Sequence, residues 1–232
     1  MKLGCTAIFI CAVTLGAAAH AADEKKAHES GAAAAAGNQA VEYKPPARGA
    51  PKARVGGSTR GMMSALTMTV IAPDHTGLAA SEQPELFWYI SQPVQQPVEF
   101  MLVPVDASDP LVQTAIPVRD AGIQRINLAD YKVKLKPGVE YQWLITYASK
   151  PGSRAKDAIT GGRLMVERPT GKLVSYSDYA GAGYWYDAFA RLRSEIAKHP
   201  GDRTLAAAQQ SLLDQAGLAE VARRENERLS HQ

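Results

Sequence analysis

From Val139 to Tyr147 every second residue is large and apolar. Val139, Tyr141, Trp143, Ile145 and Tyr147 alternate with Glu140, Gln142, Leu144 and Thr146. A period of two puts these sets on opposite sides of a β-strand; on a helix the same residues would scatter around the axis. The pattern recurs upstream. Leu66, Met68 and Val70 alternate with Thr67 and Thr69; Leu86, Trp88 and Ile90 alternate with Phe87 and Tyr89; Val98, Phe100 and Leu102 share one side. DPLVQTAIPV, GIQRINLA and GRLMVE are weaker strand candidates, and turns rich in Pro, Asp and Gly separate the runs at near-regular spacing. Many short strands with such punctuation predict a mainly β, two-layered antiparallel β-sandwich over residues 62–170.

One corner is more specific. The opening Leu135-Lys136-Pro137-Gly138-Val139-Glu140-Tyr141 has the form L-x-P-G-x-x-Y. It resembles the tyrosine corner of immunoglobulin-like and fibronectin type III sandwiches, where a tyrosine hydroxyl folds back onto the preceding turn. The resemblance implies that Tyr141 is the corner residue, with Trp143 a core anchor and Trp88 its counterpart across the layers.

After Thr170 the period changes. Trp185, Ala188, Phe189, Leu192 and Ile196 recur at three- and four-residue steps, one face of a helix. His199-Pro200-Gly201 ends it, and Asp202 is placed to cap a second helix carrying Leu205, Leu212 and Leu213 inward, closed by Gly217. Residues 171–232 are therefore expected to form a C-terminal αα-hairpin, α+β overall, followed by a polar helix that frays. A single pair of helices excludes a repeat array, which needs about three copies.

The N-terminus reads as an address. Lys2, an apolar stretch from Leu3 to Ala18, and Ala19-His20-Ala21 have the charge, length and small-residue ending of a secretory signal peptide over residues 1–21. Cleavage there removes Cys5 and Cys11, so the remaining 211 residues carry no cysteine. Export to the periplasm or the medium is expected, with no transmembrane segment after processing. The fold must then hold by burial without disulfides, and thiolate chemistry is excluded. Residues 22–42, Ala-rich and poor in larger apolar side chains, are expected to be a disordered tail.

Residues 43–61, YKPPARGAPKARVGGSTRG, hold three prolines, four glycines, five cations and no acid. From Met62 to Val118, by contrast, there is no Lys or Arg, and six acids. Such blocks suit one surface meeting another better than general nucleic-acid affinity, so no nucleic-acid partner is expected. The segment reads as an extended basic arm, with Arg48, Arg54 and Arg60 docked on the first sheet, covering an edge or presenting an anion- or partner-binding site.

Taken in order, the Y-x-P-P-x-R-G-A-P and R-V-G-G-x-x-R-G segments, S-E-x-P…F-W-Y, L-x-P-G-x-x-Y-x-W and W-Y-D-A-x-A resemble the exported bacterial family catalogued as domain of unknown function nine-two-eight, over roughly residues 43–220. One departure stands out: Gln209 lies where an aromatic residue is expected before Leu212-Leu213. The resemblance implies architecture and export, and it lends no activity.

Chemical motifs are sparse. His28, His75, His199 and His231 share no metal-ligand spacing. GGSTRG breaks the nucleophile-elbow pattern at Arg60, and GAGYWY lacks the final glycine of a dinucleotide loop. Glu82 and Glu85 are rim residues needing no catalytic role. No catalytic, metal or cofactor site is expected. The reading is an exported, non-catalytic binding or adaptor module acting on protein or cell-envelope components. The alternatives are a carbohydrate-binding module stacking sugars on Tyr184 and Trp185, and a hydrolase built from scattered carboxylates. The aromatic cluster from Tyr176 to Phe189 is expected to dock the helices on the sandwich instead.

Overall fold

The computed structural model describes residues 41–46, 54, 66–148 and 158–230. The signal peptide, the tail before Val41 and Arg48 and Arg60 of the arm lie outside the described residues.

Eight strands are described: β1 (Met68–Val70), β2 (Gly77–Ala79), β3 (Glu85–Ile90), β4 (Val98–Pro104), β5 (Val112–Ile116), β6 (Gly122–Asn127), β7 (Glu140–Tyr147) and β8 (Ala158–Val166). They form a three-stranded sheet of order β1-β3-β6 and a five-stranded sheet of order β2-β8-β7-β4-β5. All pairings are antiparallel except β2 with β8. Alternation sets the core as expected. Phe100 and Leu102 on β4, Trp143 and Ile145 on β7, and Leu86, Trp88 and Ile90 on β3 are all buried in one cluster.

β3 differs from the other long strands in being buried on both faces. Phe87 and Tyr89, on the side expected to face water, are buried too. Helices cover them: the Phe87 ring meets Phe189 edge-on at 5.2 Å. The three-stranded sheet is therefore a middle layer, between the five-stranded sheet and the helices.

Four helices follow the strands: α1 (Tyr176–Gly181), α2 (Trp185–Lys198), α3 (Arg203–Gln215) and α4 (Ala219–Ser230). The fold is thus mixed α+β, with more helix than a mainly β chain ending in a hairpin. α1 was not expected. It is nucleated by a capping box in which Ser175 accepts from the Asp178 N–H and Asp178 accepts from the Ser175 N–H. The Asp202 cap is present, its carboxylate accepting from the Thr204 and Leu205 amides. The α4 expectation is corrected. α4 does not fray, because Val221, Ala222 and Glu225 are buried on one side of it. Gln209 is buried as well, and its amide oxygen accepts from Arg193 at 2.9 Å, so a polar contact occupies the place where a ring was expected.

The corner forms as its sequence implied. The Tyr141 hydroxyl accepts a hydrogen bond from the Lys136 N–H at 2.9 Å, tying the strand to its own turn. No described helix is long and apolar enough to cross a membrane.

Candidate interaction surface

Of the three arm arginines, Arg54 is described. Its Nη1 donates to the carbonyls of Ala216, at 2.9 Å, and Ala72, at 3.2 Å. Ala216 caps the C-terminus of α3, where carbonyls lack helical partners and the helix dipole favours a cation. Burial pushes the guanidinium below its ordinary range, while the Asp74 carboxylate acts in the opposite sense. Gly217 continues the chain at φ +69°, the left-handed conformation that glycine adopts without strain. Arg54 is thus a clamp between the end of α3 and the strand that leaves β1. Arg54→Ala is expected to lower stability by about 1–2 kcal/mol in urea denaturation, against about 0.5 kcal/mol or less for a solvated linker residue.

The same seam holds Val41 to Pro46. The Val41 carbonyl accepts from Gln215 at 2.8 Å, the Tyr43 N–H donates to Gln215 at 2.7 Å, and the Lys44 N–H donates to Ala180 at 3.1 Å. The tail expected to run disordered through Glu42 is therefore held from Val41, which is buried. Tyr43 lies parallel to the His75 ring and edge-on to Trp185 at 5.1 Å. Its hydroxyl bonds His75 Nε2 at 2.9 Å, and His75 Nδ1 lies 3.3 Å from Asp74. This Asp-His-Tyr series has the order of a catalytic relay, but it ends on a phenol that burial drives well above its ordinary range. A neutral, enclosed phenol is a packing group. Nothing in the sequence around His75 signalled the contact, because its partner lies 32 residues away.

Tyr184 and Trp185, the candidates for stacking sugars, are corrected: both are buried. Trp185 is 0% exposed, it stacks on Phe189 at 6.1 Å, and its indole N–H donates to the Ile71 carbonyl at 3.1 Å. Tyr184 meets Tyr179 edge-on. Neither ring has a free face for a ligand. They dock helix to sheet, as large aromatics on an inward helical face do.

The carboxylates considered for acid–base work are dispersed. Glu85 pairs with Arg125 at 2.7 Å and Glu82 with Arg168 at 3.3 Å, so each has its own cation. Asp187, which sequence reasoning passed over, accepts from the Ala80 N–H at 2.6 Å, and burial raises its acidity constant above the ordinary carboxylate range. It lines a shallow cleft of about 260 Å³ with Ser81, Gln83, Arg191 and Ser194. Arg191 lies flat on the Tyr179 ring, 4.5 Å from its centre, and donates to the Val174 carbonyl and the Tyr179 hydroxyl. With its contacts spent on the fold, it is a wall rather than a free cation. Among the described residues, no group of three or more His, Cys, Asp or Glu could hold a metal ion.

The surface that stands out is the outer face of the five-stranded sheet. Cross-strand registers arrange it in rows: Ala115, Glu99, Thr146 and Ile159; then Gln113, Met101, Leu144 and Gly161; then Val103, Gln142 and Arg163. Leu111 is 45% exposed, Ile159 42% and Val105 37%, while Met101, Val103 and Leu144 are half-buried. Gly161 flattens the centre. A Cβ there would stand 2.4 Å from the Leu144 methyl and 2.7 Å from the Trp143 carbonyl, so the bare backbone lets Leu144 lie across it. The described helices pack instead on β2, β3 and β6. An uncovered apolar face of this kind is a common mark of an interaction site.

A family described as Domain of Unknown Function (DUF928) matches residues 55–226. No curated protein matches the chain. The match spans both sheets and most of the helical layer, well over half of the sequence, and the chain belongs to the DUF928 family.

Proposed function

We propose that this protein is an exported, non-catalytic binding or adaptor module. Its immunoglobulin-like sandwich presents the outer sheet face to a protein or cell-envelope component. The carrying observation is that face, where Met101, Val103, Leu111, Leu144 and Ile159 lie exposed or half-buried on a flat sheet. Apolar side chains lose favourable transfer energy while they stay in water, so a partner that covers them is stabilised.

Two further features support the reading. With β1, β3 and β6 lettered A, B and E, and β4, β7 and β8 lettered C, F and G, the sheets contain the A-B-E and C-F-G orders of immunoglobulin-like domains, with Tyr141 at the E–F corner. The Lys2, Leu3 to Ala18 and Ala19-His20-Ala21 pattern supports export.

The test is co-sedimentation of purified protein with envelope fractions of the source cell. Met101→Asp/Leu144→Asp, which charges the face without touching the core, is expected to reduce the bound fraction about tenfold or more while circular dichroism stays unchanged. Equal binding by that variant would refute the assignment of this face.

A further inference from the structure

Strand β5 ends the five-stranded sheet, and among the described residues nothing pairs with its outer side. Its sequence, Val112-Gln113-Thr114-Ala115-Ile116, has no charge and no proline. An edge of that composition lacks the Lys, Pro or inward charge that ordinarily keeps a strand from pairing with another chain. We propose that β5 is a dimer interface, pairing antiparallel with β5 of a second copy about a two-fold axis at Thr114.

Backbone geometry gives the register. Val105 donates its N–H to Glu140 of β7, so the odd-numbered residues of β4 bond towards β7 and the even-numbered ones towards β5. The β5 partners of those even residues are Val112, Thr114 and Ile116. Gln113 and Ala115 therefore point their N–H and C=O groups outward. In a two-fold pairing centred on Thr114, Gln113 of each copy faces Ala115 of the other, and every outward amide finds a carbonyl. Thr114 meets its own copy as a non-hydrogen-bonded pair, a favourable Thr–Thr contact, and Val112 faces Ile116.

Charge selects the second copy as the occupant. The same register places Asp109 opposite Arg119 of the other copy, once at each end of the interface. Both residues are exposed, and among the described residues neither has an ion-pair partner. Parallel pairing would instead set Asp109 against Asp109. Pro110 and Pro117 bound the paired segment, since Pro117 has no N–H to offer. The pairing also joins the two outer sheet faces into one surface, but it stands independently of what that surface binds.

Sedimentation of the purified full chain tests this without any partner. The expected species has twice the chain mass at micromolar concentration. Ala115→Pro removes an outward N–H and no intramolecular bond, and is expected to yield monomer. Should that variant misfold, two further measurements decide. Asp109→Arg and Arg119→Asp should each weaken the dimer about tenfold, and their combination should restore it. Thr114→Cys, in a background with Cys5→Ser and Cys11→Ser, should form a disulfide-linked dimer on mild oxidation. Opposed residues of a non-hydrogen-bonded pair have Cα atoms about 4.5 Å apart, within disulfide reach. The proposal is overturned by a wild-type chain that stays monomeric to about 100 µM, as pairing with a different protein's strand would give. A dimer that survives Ala115→Pro, or that fails to cross-link through Thr114→Cys, overturns it equally.

Discussion

Replacing Trp143 by alanine is expected to cost about 3–5 kcal/mol of folding stability, out of the roughly 5–15 kcal/mol such a domain possesses. Trp143 is fully buried at the centre of β7, with β4 and β8 on either side. Its indole N–H donates to the Tyr186 hydroxyl at 3.1 Å, and that hydroxyl donates to the Arg163 carbonyl at 3.0 Å. Trp143 is thus the residue through which the five-stranded sheet grips the start of α2. Gly162 makes room for it, since a Cβ there would lie 3.2 Å from the indole nitrogen. Alanine would leave a cavity the size of an indole, bounded by backbone that cannot collapse into it. Urea denaturation with tryptophan-independent detection measures the loss. A midpoint near that of the wild type would mean that β7 does not carry the core.

The second large effect is expected at α4, where Glu225 is 1% exposed and Arg228 holds it with two hydrogen bonds, at 3.0 and 2.8 Å. Arg228→Ala strands a buried carboxylate, with Arg193 left as the nearest helical cation. The expected cost is about 3 kcal/mol, the lower end for breaking a buried pair, because Arg228 is partly in water. Converting both residues, as Glu225→Leu/Arg228→Met, should cost much less, since the ions' desolvation penalty disappears along with their attraction. The double-mutant cycle reads the difference directly. Additive losses would show that the pair is not coupled.

Period-two alternation from Leu66 onward was sufficient to place the core strands, because each apolar residue on a half-buried strand is announced by its own spacing. The α2 face, the Asp202 cap and the corner at Tyr141 were legible for the same reason, each being decided within a few residues. β3 shows where such reading stops. Leu86, Trp88 and Ile90 signal one buried face, but Phe87 and Tyr89 are covered because helices more than ninety residues later pack there. α4 reads as a solvated polar helix, and Glu225 as one charge among many, until β6 and its neighbours enclose it.

The candidate surface divides in the same way. Alternation identified Met101, Val103 and Leu144 as lying on the side of their strands opposite Trp143 and Leu102. It could not say whether helices would cover that side. Nor could it say that Tyr184 and Trp185 would be enclosed, or that Arg54 would be held between two carbonyls.

Local order along the chain therefore determined which segments became strands and helices, and which side chains could share a face. The three-dimensional arrangement alone decided which faces were buried and which polar groups met. Pattern is a property of neighbouring residues; burial depends on segments far apart in the chain, whose contacts form only when the layers close.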